Sequence, residues 1–221
     1  MFISFEGIDG SGKSTQARML AEALRAEGRR VTLTREPGGS PGAEEIRRLV
    51  LEGDPDRWSA ETEILLFTAA RRDHLERTIL PALAAGHIVI TDRFADSTRV
   101  YQGAMRDQFD DIRDFDAQTN IDAIGGRRAL IDELHRLIIG REPDLTFLID
   151  IDPQVGLARA KGRQTAEERF EDFGLPMQVR MRADFLALSA EFAGRVRLID
   201  GNLPAEAVAA LVAATTRAGR Q

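Results

Sequence analysis

The chain has 221 residues, 43% hydrophobic and 30% charged, with a net charge of −6. That is enough apolar material to bury a core unaided, and the absence of cysteine excludes disulfides, Cys-ligated zinc, iron–sulfur clusters and thiol nucleophiles. The acidic balance lacks the basic stripe of a nucleic-acid binder, and no run approaches the roughly 18 apolar residues of a membrane span.

Phe2–Glu6 reads as a buried strand. A glycine-rich loop follows, then a helix over Ser14–Glu27 whose Ala17, Leu20, Ala21 and Leu24 fall on one face. Val31–Thr34 is the next strand. Ile64, Leu65, Phe67 and Thr68 start another helix, predicted to run on to Leu80-Pro81. Ile88–Thr91, Leu145–Ile151 and Val196–Ile199 complete the strands. Strands alternating with helices predict an α/β fold of the P-loop NTPase type, a three-layer sandwich with a five-stranded parallel sheet flanked by helices. There is no repeat and no Gly/Ser-rich linker, so 1–221 is expected to be one domain.

Gly7-Ile8-Asp9-Gly10-Ser11-Gly12-Lys13-Ser14 matches G-x-x-x-x-G-K-[ST] between a strand and a helix, the context this phosphate-binding loop requires. Its glycines let the backbone approach phosphates, and its N–H groups and the helix N-terminus face the anion. Lys13 and Lys161 are the only lysines among 30 basic side chains, so one of the two stands where a compact ammonium serves phosphoryl transfer. Ser14 is a candidate Mg²⁺ ligand. The chain has no N-K-x-D, which disfavours a GTPase. His74, His87 and His135 lie far apart in sequence, against a multi-histidine metal site or a Ser-His-Asp triad. Arg35 and Arg93 stand at strand ends beside the loop, where an open α/β sheet binds its ligands. They predict a second phosphate site.

Further landmarks run in order. They are Phe5 to Thr15, Thr34-Arg35-Glu36-Pro37-Gly38-Gly39, Glu45-Ile46-Arg47, Leu66 to Arg72, Asp92-Arg93-Phe94-Ala95-Asp96-Ser97-Thr98, Tyr101-Gln102-Gly103 and Pro143-Asp144-Leu145-Thr146. In these the chain resembles the bacterial thymidylate kinases, which transfer a phosphoryl group from ATP to dTMP. The resemblance implies Mg²⁺ with ATP, a homodimer and a cytoplasmic enzyme of dTTP synthesis. It implies ATP contacts along Gly7 to Thr15, and Asp92 as a metal residue beside Ser14. It implies that Phe67 stacks on thymine and Arg71 donates to O4, with Thr98 and Gln102 at the base edge. Tyr101 is to pack beside the 2′ carbon, Asp9 to accept from the 3′-OH, and Arg35, Arg47 and Arg93 to hold the dTMP phosphate. Glu36, Pro37 and Ser97 complete that pocket. Lys13, Arg93 and Asp9 are the catalytic candidates.

Three departures follow. Gly10 stands where some members carry a catalytic arginine. That points to a lid over about 159–173, with Arg163 and Arg169, and also Lys161, as charge stabilisers. The acidic stretch 107–126 reads as an insertion. Phe94 replaces the tyrosine or histidine often found after Asp-Arg. A different nucleoside monophosphate or deoxynucleoside kinase would need other base contacts. A non-catalytic nucleotide binder would be expected to lack Lys13, Arg93 or Asp9, all of which are present.

Overall fold

The structure, a computed structural model, describes residues 1–53, 57–104, 125–162 and 174–219. The strands are β1 (Phe2–Glu6), β2 (Val31–Arg35), β3 (Ile88–Asp92), β4 (Leu145–Asp150) and β5 (Val196–Asp200). They form one parallel sheet in the order β2-β3-β1-β4-β5. Each expected strand is present, with its ends within one residue of the expected ones. The helices are α1 (Lys13–Ala26), α2 (Pro41–Leu51), α3 (Ala60–His74), α4 (Leu80–Ala84), α5 (Ala95–Ala104), α6 (Gly126–Leu134), α7 (Pro153–Lys161), α8 (Gly174–Glu191) and α9 (Ala205–Ala218).

Successive strand side chains point to opposite faces, and both faces here are covered. Ile3 and Phe5 of β1 join Phe147 and Ile149 of β4, Leu20 and Leu24 of α1, and Val208 and Val212 of α9. On the other face Phe2 meets Leu75, Ile79 and Phe94, and Leu148 meets Tyr101 and Phe185. All of β1 is buried, as an apolar strand in the middle of a parallel sheet should be. The result is the expected three-layer P-loop NTPase-type sandwich.

The third helix departs from expectation at both ends. It begins at Ala60, where the Ser59 hydroxyl accepts from the Thr62 N–H at 3.2 Å. Nor does it stop at Pro81. A wider π-helical turn over Leu75–Ile79 leads into α4, and Pro81 falls in the first turn of α4, where a missing N–H costs least.

The carboxyl ends of β1, β2 and β3 lie side by side, and hydrogen bonds extend past the strands. The Glu36 N–H donates to the Asp92 carbonyl and the Arg93 N–H to the Phe5 carbonyl, each at 2.9 Å. Helix α5, which follows the end of β3, is fixed to α6 and to the segments just before β4 and β5 by an ion network around the buried Arg99 and Asp96. Arg99 binds Asp96 at 2.6 Å, Asp132 at 2.7 Å and Glu142 at 2.6 Å. Arg195 reaches Asp96 at 2.6 Å. Buried charges of this kind demand partners, and here each has several.

Phe147 of β4 is fully buried in the cluster that holds Leu20 and Leu24 of α1, with its ring centroid 5.2 Å from that of Phe5 on the neighbouring β1. Phe147→Ala should lower the unfolding free energy by about 3–5 kcal/mol, read from urea unfolding. A loss below about 1 kcal/mol would contradict this placement of the core.

Candidate active site

A cavity of about 800 Å³ opens at the carboxyl ends of β1, β2 and β3. Of the predicted residues, Asp9, Gly10, Gly12, Lys13, Ser14, Arg35, Glu36, Pro37, Arg47, Phe67, Arg71, Asp92, Arg93, Ser97, Thr98, Tyr101 and Gln102 line it. Gly7, Ile8, Ser11 and Thr15 are outside that lining; the first three belong to the loop and Thr15 to the first turn of α1. Ile8 is packed into the core beside Leu148 and Ile151. Arg163 and Arg169 lie outside the described residues, as do residues 107–124 of the acidic stretch.

The loop turns into α1 at Gly12, whose φ of 97° is left-handed, and no side chain caps the helix there. Its first N–H groups are therefore open to an anion. Lys13, the first helical residue, folds back to donate to the Ile8 carbonyl at 2.8 Å. Burial, with Arg93 nearby, pushes its ammonium down to about 8. Gly10 explains the missing arginine in physical terms. Its φ is +74°, and a Cβ there would lie 2.0 Å from the Gly156 carbonyl oxygen of α7. No side chain fits at residue 10 while α7 is docked.

Arg93 is the one non-glycine residue with positive φ, 69°, among the described residues. The left-handed turn throws its side chain back over the loop. Nη1 donates to the Gly7 carbonyl at 3.3 Å and Ser97 Oγ at 2.9 Å. Nη2 donates to Asp9 and, at 3.1 Å, to the Tyr101 hydroxyl. The Tyr101 hydroxyl donates to the other Asp9 oxygen at 3.0 Å. Burial disfavours the Asp9 carboxylate, but Arg93 and Lys13 outweigh it and hold its pKa below the usual range. Asp9 is thus an acceptor at neutral pH.

Ser14 Oγ donates to Asp92 Oδ2. The second oxygen, Asp92 Oδ1, is buried without a partner among the described residues. A hydroxyl beside an unsatisfied carboxylate oxygen fits Mg²⁺, which takes one or two protein oxygens and fills its shell with water and phosphate.

At the other end of the cavity Arg71 is buried and held on several sides. Nε donates to Glu36 Oε2 at 2.7 Å. Nη2 donates to Thr98 Oγ1 at 3.0 Å and the Phe94 carbonyl at 3.2 Å. The guanidinium carbon sits 5.2 Å from the centre of the Phe94 ring, so the aromatic at this position packs against the arginine. Gln102 Nε2 donates to Glu63 Oε2 at 3.2 Å. Arg35 is 55% exposed and pairs with Glu44 at 3.2 Å. An exposed pair of that kind holds its members weakly, so the guanidinium can turn to a ligand. Arg47 Nη1 donates to the Pro37 carbonyl at 2.5 Å.

Four acidic or histidine residues around the site were given no role in the sequence reading. Glu44 and Glu63 bind Arg35 and Gln102 as described. His74 bonds Glu36 Oε1 at 2.9 Å. Glu6 accepts from the Phe94 N–H at 2.7 Å and Ser97 Oγ at 2.6 Å, covering the start of α5. The signal for Glu6 is its phase: it shares the Phe2 face of β1, opposite Ile3 and Phe5, and is a charged residue in an otherwise buried strand. Burial, with Asp96 nearby, pushes its carboxyl up to about 7.

A sequence profile of the thymidylate kinase family matches residues 5–114 and 123–212, the break falling within the acidic stretch. The chain is 69% identical to a thymidylate kinase of Ruegeria pomeroyi, over 95% of this chain and 91% of the relative. It is 63% identical to one of Dinoroseobacter shibae, over 96% and 94%. Among solved structures, a thymidylate kinase from Ehrlichia chaffeensis superposes with a TM-score of 0.71 at 34% identity, covering 98% of each chain.

Glu6 yields a pH prediction. Unfolded, its carboxyl releases its proton near the ordinary 4.5; folded, near 7. The folded state then holds the proton more tightly, so this group's contribution lowers stability as pH rises through that window and levels off above it. Glu6→Gln should flatten the fall in urea midpoint between about pH 5 and pH 7.5. A variant with the parent's pH slope would contradict the assignment.

Proposed function

The chain belongs to the thymidylate kinase family and phosphorylates dTMP, and from that premise we propose how its residues divide the work. The observation that carries the division is one continuous cavity. It holds Lys13 and the phosphate loop at one end and Phe67 with Arg71 at the other, and Arg93 touches elements of both.

ATP places its phosphates on the loop Gly7 to Thr15, under the open N–H groups of α1. Lys13 moves from the Ile8 carbonyl to the phosphates, gaining charge neutralisation that its buried position otherwise lacks. Ser14 and Asp92 would hold Mg²⁺, which when bound neutralises charge on the phosphate oxygens. On the acceptor side, Phe67 offers an aromatic face to thymine. Arg71 donates to O4, where cytosine would present a donor instead. Thr98 and Gln102 approach the base edge. Tyr101 fills the space a ribose hydroxyl would need, and Asp9 accepts from the 3′-OH. Arg35, Arg47 and Arg93 gather the acceptor phosphate, with Glu36, Pro37 and Ser97 completing the pocket. Two anions are thereby brought together under positive charge, the main electrostatic requirement of the reaction.

We read residues 1–221 as one domain. The segment about 159–173 acts as the lid over ATP and supplies Arg163 or Arg169 to the transferred group. Support comes from Gly10, whose contact with Gly156 leaves no room for an arginine in the loop. The acidic stretch 107–126, which follows Thr98 and Gln102 closely in sequence, is read as an insertion. We also assign a homodimer. Leu65 of α3 and Leu137 and Ile138 of the turn after α6 are exposed, and Arg72 Nη1 joins α3 to that turn at the Ile138 carbonyl, 2.6 Å away. No helix among the described residues is long and apolar enough to cross a membrane, and we place the enzyme in the cytoplasm with its nucleotide substrates.

Arg71→Ala tests the base assignment. The KM for dTMP should rise about 10- to 100-fold and the preference for dTMP over dCMP should shrink, with the KM for ATP little changed. Michaelis constants for both substrates rising together would contradict it.

A further inference from the structure

His74 is fully buried at the end of α3, and both its ring nitrogens are engaged. Nδ1 lies 2.9 Å from Glu36 Oε1 and Nε2 lies 2.7 Å from Thr34 Oγ1. Burial disfavours the Glu36 carboxylate, but Arg71 and His74 outweigh it and hold its pKa below the usual range. An ionised carboxylate only accepts, so Nδ1 donates to it. Glu36 passes the constraint on, because its second oxygen takes Arg71 Nε at 2.7 Å. With Nη2 spent on Thr98 and Phe94, Nη1 is the guanidinium nitrogen with no described partner, on a side chain that lines the cavity.

The same imidazole fixes the loop of the acceptor phosphate. Gly39 has φ +84°, and a Cβ there would lie 2.3 Å from Thr34 Oγ1 and 2.4 Å from His74 Nε2. The loop therefore rests directly on the His74–Thr34 bond. Thr78, one turn beyond His74, donates to the Gly39 carbonyl at 2.7 Å. Arg35 ends β2 immediately before this loop, Pro37 is carried on it, and Arg47 is bonded to it through the Pro37 carbonyl.

We infer that His74 is a positioning residue for the acceptor nucleotide: through Glu36 it sets the plane of Arg71 toward the base, and through Thr34 and Gly39 it sets the phosphate-arginine loop. It touches no substrate itself. The inference rests on Arg71 reading the base, and the experiment separates the two. An asparagine amide can reproduce the Nδ1 donor toward Glu36; a glutamine amide reproduces the Nε2 side toward Thr34.

The measurement is steady-state kinetics of the full chain with dTMP, dCMP and ATP, for His74→Gln, His74→Asn, Thr34→Val and Arg71→Ala, with melting temperatures alongside. His74→Gln should raise the KM for dTMP about tenfold and narrow the dTMP-to-dCMP ratio of kcat/KM about tenfold, with the KM for ATP within about twofold. His74→Asn should recover most of the base discrimination. Thr34→Val, which leaves the Glu36 bond in place, should raise the KM for dTMP about threefold and keep the ratio. A ratio unchanged in His74→Gln, or a parallel rise in both Michaelis constants, would overturn the inference provided Arg71→Ala does narrow the ratio. If Arg71→Ala leaves the ratio intact, the base assignment itself falls and the inference with it. Should His74→Gln not fold, a Thr34→Val chain whose Michaelis constants match the parent's would overturn the loop half of the inference, and a His74→Asn chain without base discrimination the Arg71 half.

Discussion

The site depends on one ion pair, Arg93 with Asp9. The backbone accepts a left-handed residue at Arg93, a conformation that costs about 1–3 kcal/mol for a side chain of this size. In return the guanidinium lies across the phosphate loop, reaching Gly7 and Asp9, and also reaches Ser97 and Tyr101 on α5. The donor and acceptor halves we propose for the cavity are therefore not separate sites placed near each other. They share a residue, and its geometry is set by the ends of β1 and β3.

Beneath this pair the structure solves a desolvation problem. Arg71, Arg93 and Arg99 are all withdrawn from water, where an unpaired charge would be very costly. Each is met by carboxylates: Glu36 for Arg71 and Asp9 for Arg93 from distant parts of the chain, and for Arg99 both Asp96 one turn away and the distant Glu142. Glu6 stands below Ser97 and the Phe94 amide, and so holds the start of α5 in place. The same compensation keeps the arginines extended in fixed planes before any nucleotide arrives. That is the preorganisation which electrostatic catalysis requires.

The strands and the phosphate loop were legible in the sequence because their signals are local: short apolar runs, and glycines and a lysine at fixed spacing. Phe67, Arg71, Thr98 and Gln102 were legible through ordered motifs, and the structure gathers all four around one cavity. What escaped depends on partners far along the chain. Glu36 was read as a pocket residue and lines the cavity; what its sequence position hides is that Arg71 and His74, far along the chain, occupy its carboxylate. Gly10 could be seen to lack an arginine, yet the reason lies at Gly156 on another helix. The left-handed Arg93 gave no signal, since that conformation is ordinarily marked by glycine or asparagine. Pro81 gave the wrong one: a proline that should end a helix falls instead in the first turn of the next.

The most direct test of the shared Arg93–Asp9 pair is a double-mutant cycle on kcat/KM for dTMP at saturating ATP, using Arg93→Ala, Asp9→Asn and the double variant. If the two side chains act as one unit, the double variant should be little worse than Arg93→Ala alone. The combined loss would then fall at least about tenfold short of the product of the single losses. Losses that multiply would show that Arg93 and Asp9 act independently, and would contradict the account.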